Sequence, residues 1–538
     1  MQRLADAGLD RASAERVLVM LQRASRRLVD VAGRAPETAA EAFWVPGRIE
    51  VAGKHTDYAG GRSLLAAVNR GFAVVATPRA DGRVGVYTQF PDGRQDHREL
   101  ELTADLAQLQ QFQGLPPSEG GWAAYPAAAV QRLVMNFGIG TGADISIECD
   151  LPAASGMSSS SAVICYMWLV LDRFNGISSG NPVYARSIQS PAELYTYLGN
   201  VENGKHFKPG DEAELSGAGG VGTFGGSEDH TAIMSCSPGA LGLWQFCPTE
   251  HLAAVTVDPA VAFVVAVSGA KAEKTGGAMG RYNDASLLAQ WAAAAYTAAL
   301  AQAAGAPLEQ PLTAEDLGRL YGQVALYNPR LPNLAEVVRQ ERQAMGDAEP
   351  GQVRASICAK LDAVAGTFKQ RLAASALTLG LTTDGLDAES VTMDALKARF
   401  GQFFEESERI VPGMAAAFAT RDYANLGSLA DRSHEATVSE LQNTVPETAW
   451  LPRWARRATI GGPALAGAPA EPGTVALAAS AFGAGFGGSC WALVRAAEAE
   501  RFRDAWRRAY EAEFPAEGGG GLEREFFVVP PCPGAFAL

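Results

Sequence analysis

The chain reads as an α+β protein built from more than one domain. At 538 residues it is longer than a single hydrophobic core usually sustains. Strand-like and helical stretches both recur, and they mix without the regular βαβ alternation of a doubly wound sheet. A hydrophobic content of 47% with 19% charged residues suits a globular chain and is too apolar for a disordered one.

The elements follow from local patterns. Residues 1–33 place Leu18, Leu21 and Leu28 at helical spacing with arginines between them and Gly33 as a stop, which predicts a helix packed on a domain surface. From Phe43 to Phe90 the pattern turns to short β-branched or aromatic runs bounded by Gly, Pro or Asp: Ile49/Val51, Phe72–Ala76 and Val84–Tyr87. Ala143–Cys149 alternates, with Ile145, Ile147 and Cys149 on one face, and predicts a strand. Ala162–Phe174 predicts a buried helix. Residues Ile177–Ser190 and Asn203–Gly226, rich in Gly, Ser, Pro and Asn, predict surface loops. Further on, Val261–Val267, Trp491–Val494 and Phe526–Val529 predict strands, and Ala285–Ala304, Gln352–Leu377, Met414–Phe418 and Ala496–Phe514 predict helices.

Composition excludes some functions. A net charge of −14 argues against a protein that grips nucleic acid through its phosphates, but not against binding ATP, which local dipoles accomplish. Seven dispersed cysteines, none in a CxxC pair, suggest reduced thiols and show no zinc spacing. Arg3, Asp6 and Asp10 interrupt any leader-like apolar run, and the strongly apolar stretch Ala162–Leu171 is too short to cross a bilayer. A cytoplasmic protein with no nucleic-acid or membrane partner is expected, and a monomer.

Three motifs carry chemistry. The first, Val45–Gly61 (VPGRIEVAGKHTDYAGG), brings Arg48, Lys54, His55 and Asp57 together between glycines, with too much polar chemistry for a core strand and too much Gly for a helix. The second, Asp150–Ala162 (DLPAASGMSSSSA), sets serines at the start of a predicted helix, where unsatisfied N–H groups and a partial positive charge favour phosphate. A serine-rich N-cap explains it equally well, and no Walker A loop is present. The third, Ser480–Cys490 (SAFGAGFGGSC), has four glycines in six residues; they permit close approach to a ligand but suit a tight turn as readily.

Together and in this order, the motifs resemble those of the GHMP kinase superfamily, and the first is most similar to the sugar-recognition signature of galactokinases. Trp122 and Tyr125 resemble a WxxY pair by the adenine, Gly226–His230 (GSEDH) resembles the segment with the catalytic aspartate, and Tyr282-Asn283 resembles a YN pair reaching the sugar. The likeness covers most of Phe43–Val494 and is thin over residues 1–40, 177–226 and parts of 300–400. It implies a two-domain GHMP kinase fold, with a ribosomal protein S5 domain 2-like N-terminal part and a ferredoxin-like C-terminal part. The expected division is an N-terminal helical extension (1–40), an N-terminal kinase domain (41–255) and a C-terminal one (256–538). The implied activity is ATP- and Mg²⁺-dependent phosphorylation of a monosaccharide at its anomeric hydroxyl. Asp229 would be the catalytic carboxylate and Arg48 its partner. Lys54, His55, Asp57, Gly226 and Tyr282 would contact sugar. Trp122, Gly156, Ser158, Ser159, Ser160 and Ser161 would hold the nucleotide, and Ser160 and Glu202 the metal.

Two departures bear on specificity and activity. Galactokinases usually carry Glu, on the sugar's C6 side, where this chain has Lys54. A lysine offers only donors and a positive charge, which would suit a uronic acid; otherwise Lys54 turns to solvent or pairs with an acidic side chain, and a neutral sugar is expected. Ser227, Glu228 and His230 also replace the usual neighbours of the catalytic aspartate. A catalytically inactive sugar- and nucleotide-binding regulator is a further alternative, disfavoured by the intact serine motif. A non-sugar alcohol as substrate is disfavoured by the HTDY segment and Tyr282.

Overall fold

The computed structural model describes residues 1–90, 93–115, 119–208, 214–217, 219–270, 279–379, 391–457, 475–515 and 524–538. Among these, twelve strands form two sheets. The first grows from β1 (Glu41–Ala52) and β2 (Arg62–Arg79), antiparallel partners joined through the HTDY turn. β2 is long enough to serve several neighbours. Its second half pairs with β5 (Gly142–Cys149), and its first residues pair with β6 (Ala240–Gln245), which β7 (Glu250–Thr256) extends. β3 (Arg83–Gln89) runs parallel to β5, and β4 (Gln95–Glu101) pairs antiparallel with β3. On the far side of β1 lies β12 (Phe536–Ala537). The second sheet is antiparallel throughout, in the order β11 (Glu525–Val529), β8 (Val261–Val267), β10 (Ser489–Arg495), β9 (Ala478–Phe482).

Side-chain alternation along β8 and β10 divides two cores. Phe263, Val265, Trp491 and Leu493 face inward and join the first sheet and helix Ser159–Asn175 in one continuous core. Val264, Ala266, Ala492 and Val494 point the other way, onto Phe502, Trp506 and Tyr510 of helix Ala499–Glu513. The outer face of β1 and β2 is covered as expected by a helix near the start of the chain. That helix, Arg11–Asp30, is capped by Asp10, which accepts from the Ser13 N–H at 2.9 Å, and packs Val17 and Met20 against Trp44, Leu65 and Ala73. Buried Arg27 ties it to β5, donating to the Ile147 carbonyl at 2.9 Å and pairing with Glu148.

Two expectations need correction. Residues 177–190 are not a loop: they hold short helices Ile177–Gly180 and Pro182–Ser187, the second started by Asn181, whose side chain accepts from the N–H groups of Val183 and Tyr184. The stretch Gln352–Leu377 is two helices, Pro350–Ala363 and Phe368–Leu379, separated by a turn. Residues 203–226 are mainly irregular, as expected, although 209–213 and 218 lie outside the described residues. No described helix is long and apolar enough to cross a membrane.

A third core belongs to helices Met279–Ala303, Ala314–Tyr321, Leu334–Met345, Pro350–Ala363, Phe368–Leu379 and Met393–Glu405. It also takes in Ala59 of the HTDY turn, so this bundle backs the first motif. Within it, buried Glu336 accepts from the N–H groups of Tyr327 (2.6 Å) and Asn333 (2.8 Å). Burial pushes its carboxyl up to about 7, against those bonds and Arg339. The folded chain therefore binds a proton at Glu336 that the unfolded chain releases near 4.5. Stability from this group is complete below pH 4.5 and is lost as pH rises through 7, a fall of about 3 kcal/mol. Urea unfolding of Glu336→Gln beside the parent between pH 4.5 and 8 will show the variant gaining relative stability as pH rises; parallel curves would refute the assignment.

Candidate active site

The site begins with a defect in β1. The pairing of β1 with β2 slips between Pro46 and Arg48 and again between Glu50 and Ala52, and such irregularities re-aim side chains. Arg48 and Glu50, two residues apart, both face one cavity. Arg48 is almost wholly buried (1% exposed), and its Nε donates to Asp229 Oδ1 at 2.7 Å. Its Nη1 donates to the Gly156 carbonyl at 2.6 Å, so one guanidinium joins the aspartate to the serine loop. Burial opposes the charge of Arg48, but Asp229, Glu50 and Glu228 around it together raise its pKa.

Asp229 is the second residue of helix Glu228–Ser235. Ser161 Oγ lies 3.4 Å from Asp229 Oδ2 and donates to Glu202 Oε2 at 2.8 Å. The same Glu202 oxygen lies 2.9 Å from His230 Nε2. Ser161 is thus held by carboxylates rather than turned to the open end of its helix. Ser158 takes a left-handed conformation (φ 59°) as N-cap of helix Ser159–Asn175, and its buried hydroxyl finds no partner among the described residues. Ser159 is exposed and Ser160 half-buried at the same helix start. Against this loop packs the third motif. Ser489 Oγ donates to the Ser155 carbonyl at 2.6 Å, and a Cβ on Gly483 would stand 2.7 Å from the Gly156 oxygen, so only glycine permits the approach.

The HTDY turn supplies the opposite wall. Asp57 accepts from the N–H groups of Tyr58 (2.8 Å) and Glu228 (3.1 Å), and burial raises its pKa. His55, with φ 56°, sets its Nδ1 2.9 Å from the Tyr58 hydroxyl, and its ring lies 5.6 Å from that of Tyr282. Asn283 fastens the glycine-rich segment by accepting from the Phe224 N–H (3.0 Å) and donating to the Gly222 carbonyl (3.1 Å). Asn203 does likewise, accepting from Thr223 Oγ1 (2.7 Å) and the Gly225 N–H (2.9 Å).

One cavity therefore gathers Arg48, His55, Asp57, Gly226, Tyr282, Ser161, Glu202 and Asp229 from the expected residues. Gly156, Ser158, Ser159 and Ser160 lie in the adjoining serine loop and helix start, outside the cavity lining, and Trp122 and Lys54 also stand outside it. Trp122 lies in a turn before helix Ala124–Phe137 and donates its indole N–H to Asp96 at 3.0 Å, away from the cavity lining. Lys54 also does not line the cavity. It is 2% exposed and donates from Nζ to Ser433 Oγ at 2.6 Å, and Ser433 in turn donates to Glu406 at 3.0 Å. The lysine reaches neither sugar space nor solvent, because helices Met393–Glu405 and Tyr423–Ala436 close over it. The physical basis for a uronic-acid preference is thereby removed. His434 is buried and holds the Ala449 carbonyl at 3.1 Å from Nε2, its pKa lowered by burial to about 4.

The cavity also takes residues that the motifs did not single out: Glu50, Asn203, Thr223 and Glu228. Glu50 and Glu228 lie side by side, and burial raises both pKa values. A signal for each was present, since Glu50 shares the strand face of Arg48 and Glu228 directly precedes Asp229.

Known proteins fit this geometry. The GHMP kinases N terminal domain matches residues 124–206, and the galactokinase galactose-binding signature matches residues 33–78. The fold is that of the GHMP kinases: a structure of Lactococcus lactis galactokinase complexed with galactose superposes with a TM-score of 0.62 at 20% identity, covering 96% of this chain and 100% of that one. The galactokinase of Lactobacillus helveticus is 35% identical over 141 residues, 26% of this chain and 34% of that protein. That of Exiguobacterium sibiricum is 33% identical over 132 residues, 24% and 31% of the two chains. The matched stretches thus span about a third of these relatives. The matched segments are thus similar in sequence to galactokinases, and the fold to that of the galactokinase structure.

A Cβ on Gly226 would stand 2.3 Å from Asp57 Oδ2. Gly226→Ala will therefore displace the Asp57 carboxylate and weaken at least about tenfold the affinity for a ligand that Asp57 holds in this cavity, measurable by calorimetry with galactose as the probe.

Proposed function

We propose that this protein transfers the terminal phosphoryl group of ATP to the anomeric hydroxyl of a monosaccharide, giving a sugar 1-phosphate and ADP. The observation that carries the reading is the adjacency of two unlike sites. The buried Arg48–Asp229 pair touches, through Arg48 to Gly156 and Asp229 to Ser161, the loop that opens helix Ser159–Asn175. A carboxylate for a hydroxyl and a helix N-terminus for phosphate then lie side by side, which is what in-line phosphoryl transfer requires.

In this reading Asp229 accepts or orients the proton of the attacking hydroxyl, and Arg48 stabilises charge on the group in transfer. The N–H groups at the helix start, with the hydroxyls of Ser158, Ser159 and Ser160, cradle the phosphates; the orphaned Ser158 hydroxyl suits such a partner. Asp57, His55, Tyr282 and the Gly226 backbone hold sugar hydroxyls. Mg²⁺ would be held by Glu202 and Ser160 and would neutralise phosphate charge; a magnesium ion needs only one or two carboxylates beside phosphates and water.

The test is ATP consumption and product analysis with free sugars. Asp229→Asn will lower kcat by about a thousandfold or more while sugar binding persists. Sugar binding without turnover in the parent protein would replace the enzyme with a sugar- and nucleotide-binding regulator.

A further inference from the structure

The cavity wall holds five carboxyl groups, those of Glu50, Asp57, Glu202, Glu228 and Asp229, and one arginine. Three have partners that account for them. Asp229 has Arg48, Asp57 has two backbone N–H groups, and Glu202 has Ser161 and His230. Glu50 and Glu228 remain. Ser63 Oγ donates to Glu228 Oε2 at 2.7 Å, and the two glutamates lie side by side, but Glu50 Oε1 is buried without a partner among the described residues. Glu50 is 4% and Glu228 5% exposed, so water does little for either. The free Glu50 oxygen thus lacks a donor among the described residues, and the cations nearby, Arg48 and Lys54, direct hydrogen bonds to Asp229, Gly156 and Ser433.

We propose that the Glu50–Glu228 pair is a seat for a basic nitrogen, and that the preferred substrate is an amino sugar carrying a free ammonium group. This rests on the sugar-kinase reading above and names its substrate class. An ammonium brings three donors and one charge, enough for the vacant Glu50 oxygen and for a contact to Glu228. The charges facing Glu50 are Arg48 and Lys54, which attract it, and Glu228 and Glu406; burial nonetheless outweighs both cations and raises its pKa. The position of Lys54 fits the same scheme. With its ammonium directed to Ser433 and away from the cavity, it does not compete for the seat. A uronate would instead set its carboxylate beside the glutamate pair and be repelled.

The experiment measures kcat/KM and calorimetric affinity for galactose, 2-amino-2-deoxygalactose, 6-amino-6-deoxygalactose and galacturonate, in the parent, Glu50→Gln and Glu228→Gln. One of the amines is expected to exceed galactose by about tenfold or more, with galacturonate last. Glu50→Gln will bring that ratio towards one, mainly through KM. Phosphorylation of galactose or galacturonate as efficient as that of both amines overturns the proposal and leaves the kinase standing. An amine preference that survives in both variants overturns the assigned seat. Absence of turnover with every sugar refutes the kinase; binding then decides this inference, with amine affinity above that of galactose and sensitive to Glu228→Gln supporting it, and equal affinities overturning it.

Discussion

Much of this structure depends on one buried cation. Arg48 is almost fully removed from water, and an uncompensated charge there would cost more than a domain of this kind affords. Its compensation comes from Asp229 and the Gly156 carbonyl, which lie 181 and 108 residues away along the chain. Satisfying one guanidinium thus fixes the first strand, the serine loop and helix Glu228–Ser235 in a single arrangement. The group to which we assign the stabilisation of phosphoryl transfer is also the group that ties these segments together. Removing either member of such a pair typically costs 3–5 kcal/mol, roughly, so function and stability are coupled at this point.

Around that pair the loops brace one another. The serine loop rests on the third motif through Ser489 and Gly483, and the glycine-rich segment is pinned by Asn203 and Asn283. Each contact joins separate segments of the chain through a serine, an asparagine or, at Gly483, a glycine whose Cβ would clash. The geometry is thereby prepared before any ligand arrives, which reduces the entropy that binding must overcome.

The parts legible in the sequence were those with a local period or a dense motif. Val261–Val267 was foreseen because a short apolar, β-branched run admits few alternatives, and the early helix because its leucines recur at helical spacing. Arg48, His55 and Asp57 were legible because one glycine-rich motif gathers them, and Asp229 only through the resemblance of Gly226–His230 to a kinase segment. What escaped was set by tertiary packing. The turn between Pro350–Ala363 and Phe368–Leu379 carries one breaker, Gly366, inside an otherwise helix-like run, and the helices at 177–190 are hidden by Ser and Gly that read as loop. Lys54 was misplaced for the same reason: its surroundings come from Glu406 and Ser433, more than 350 residues later.

The pairing of β12 with β1 has a bearing on how the chain is made. Phe43 and Trp44 lie in the first tenth of the sequence, yet their outer backbone partners are Ala537 and Phe536. During synthesis that edge of the first sheet waits, with unpaired amide and carbonyl groups, until residues 536 and 537 leave the ribosome. Throughout that interval the nascent sheet is a template for any other strand, including one from a neighbouring nascent copy.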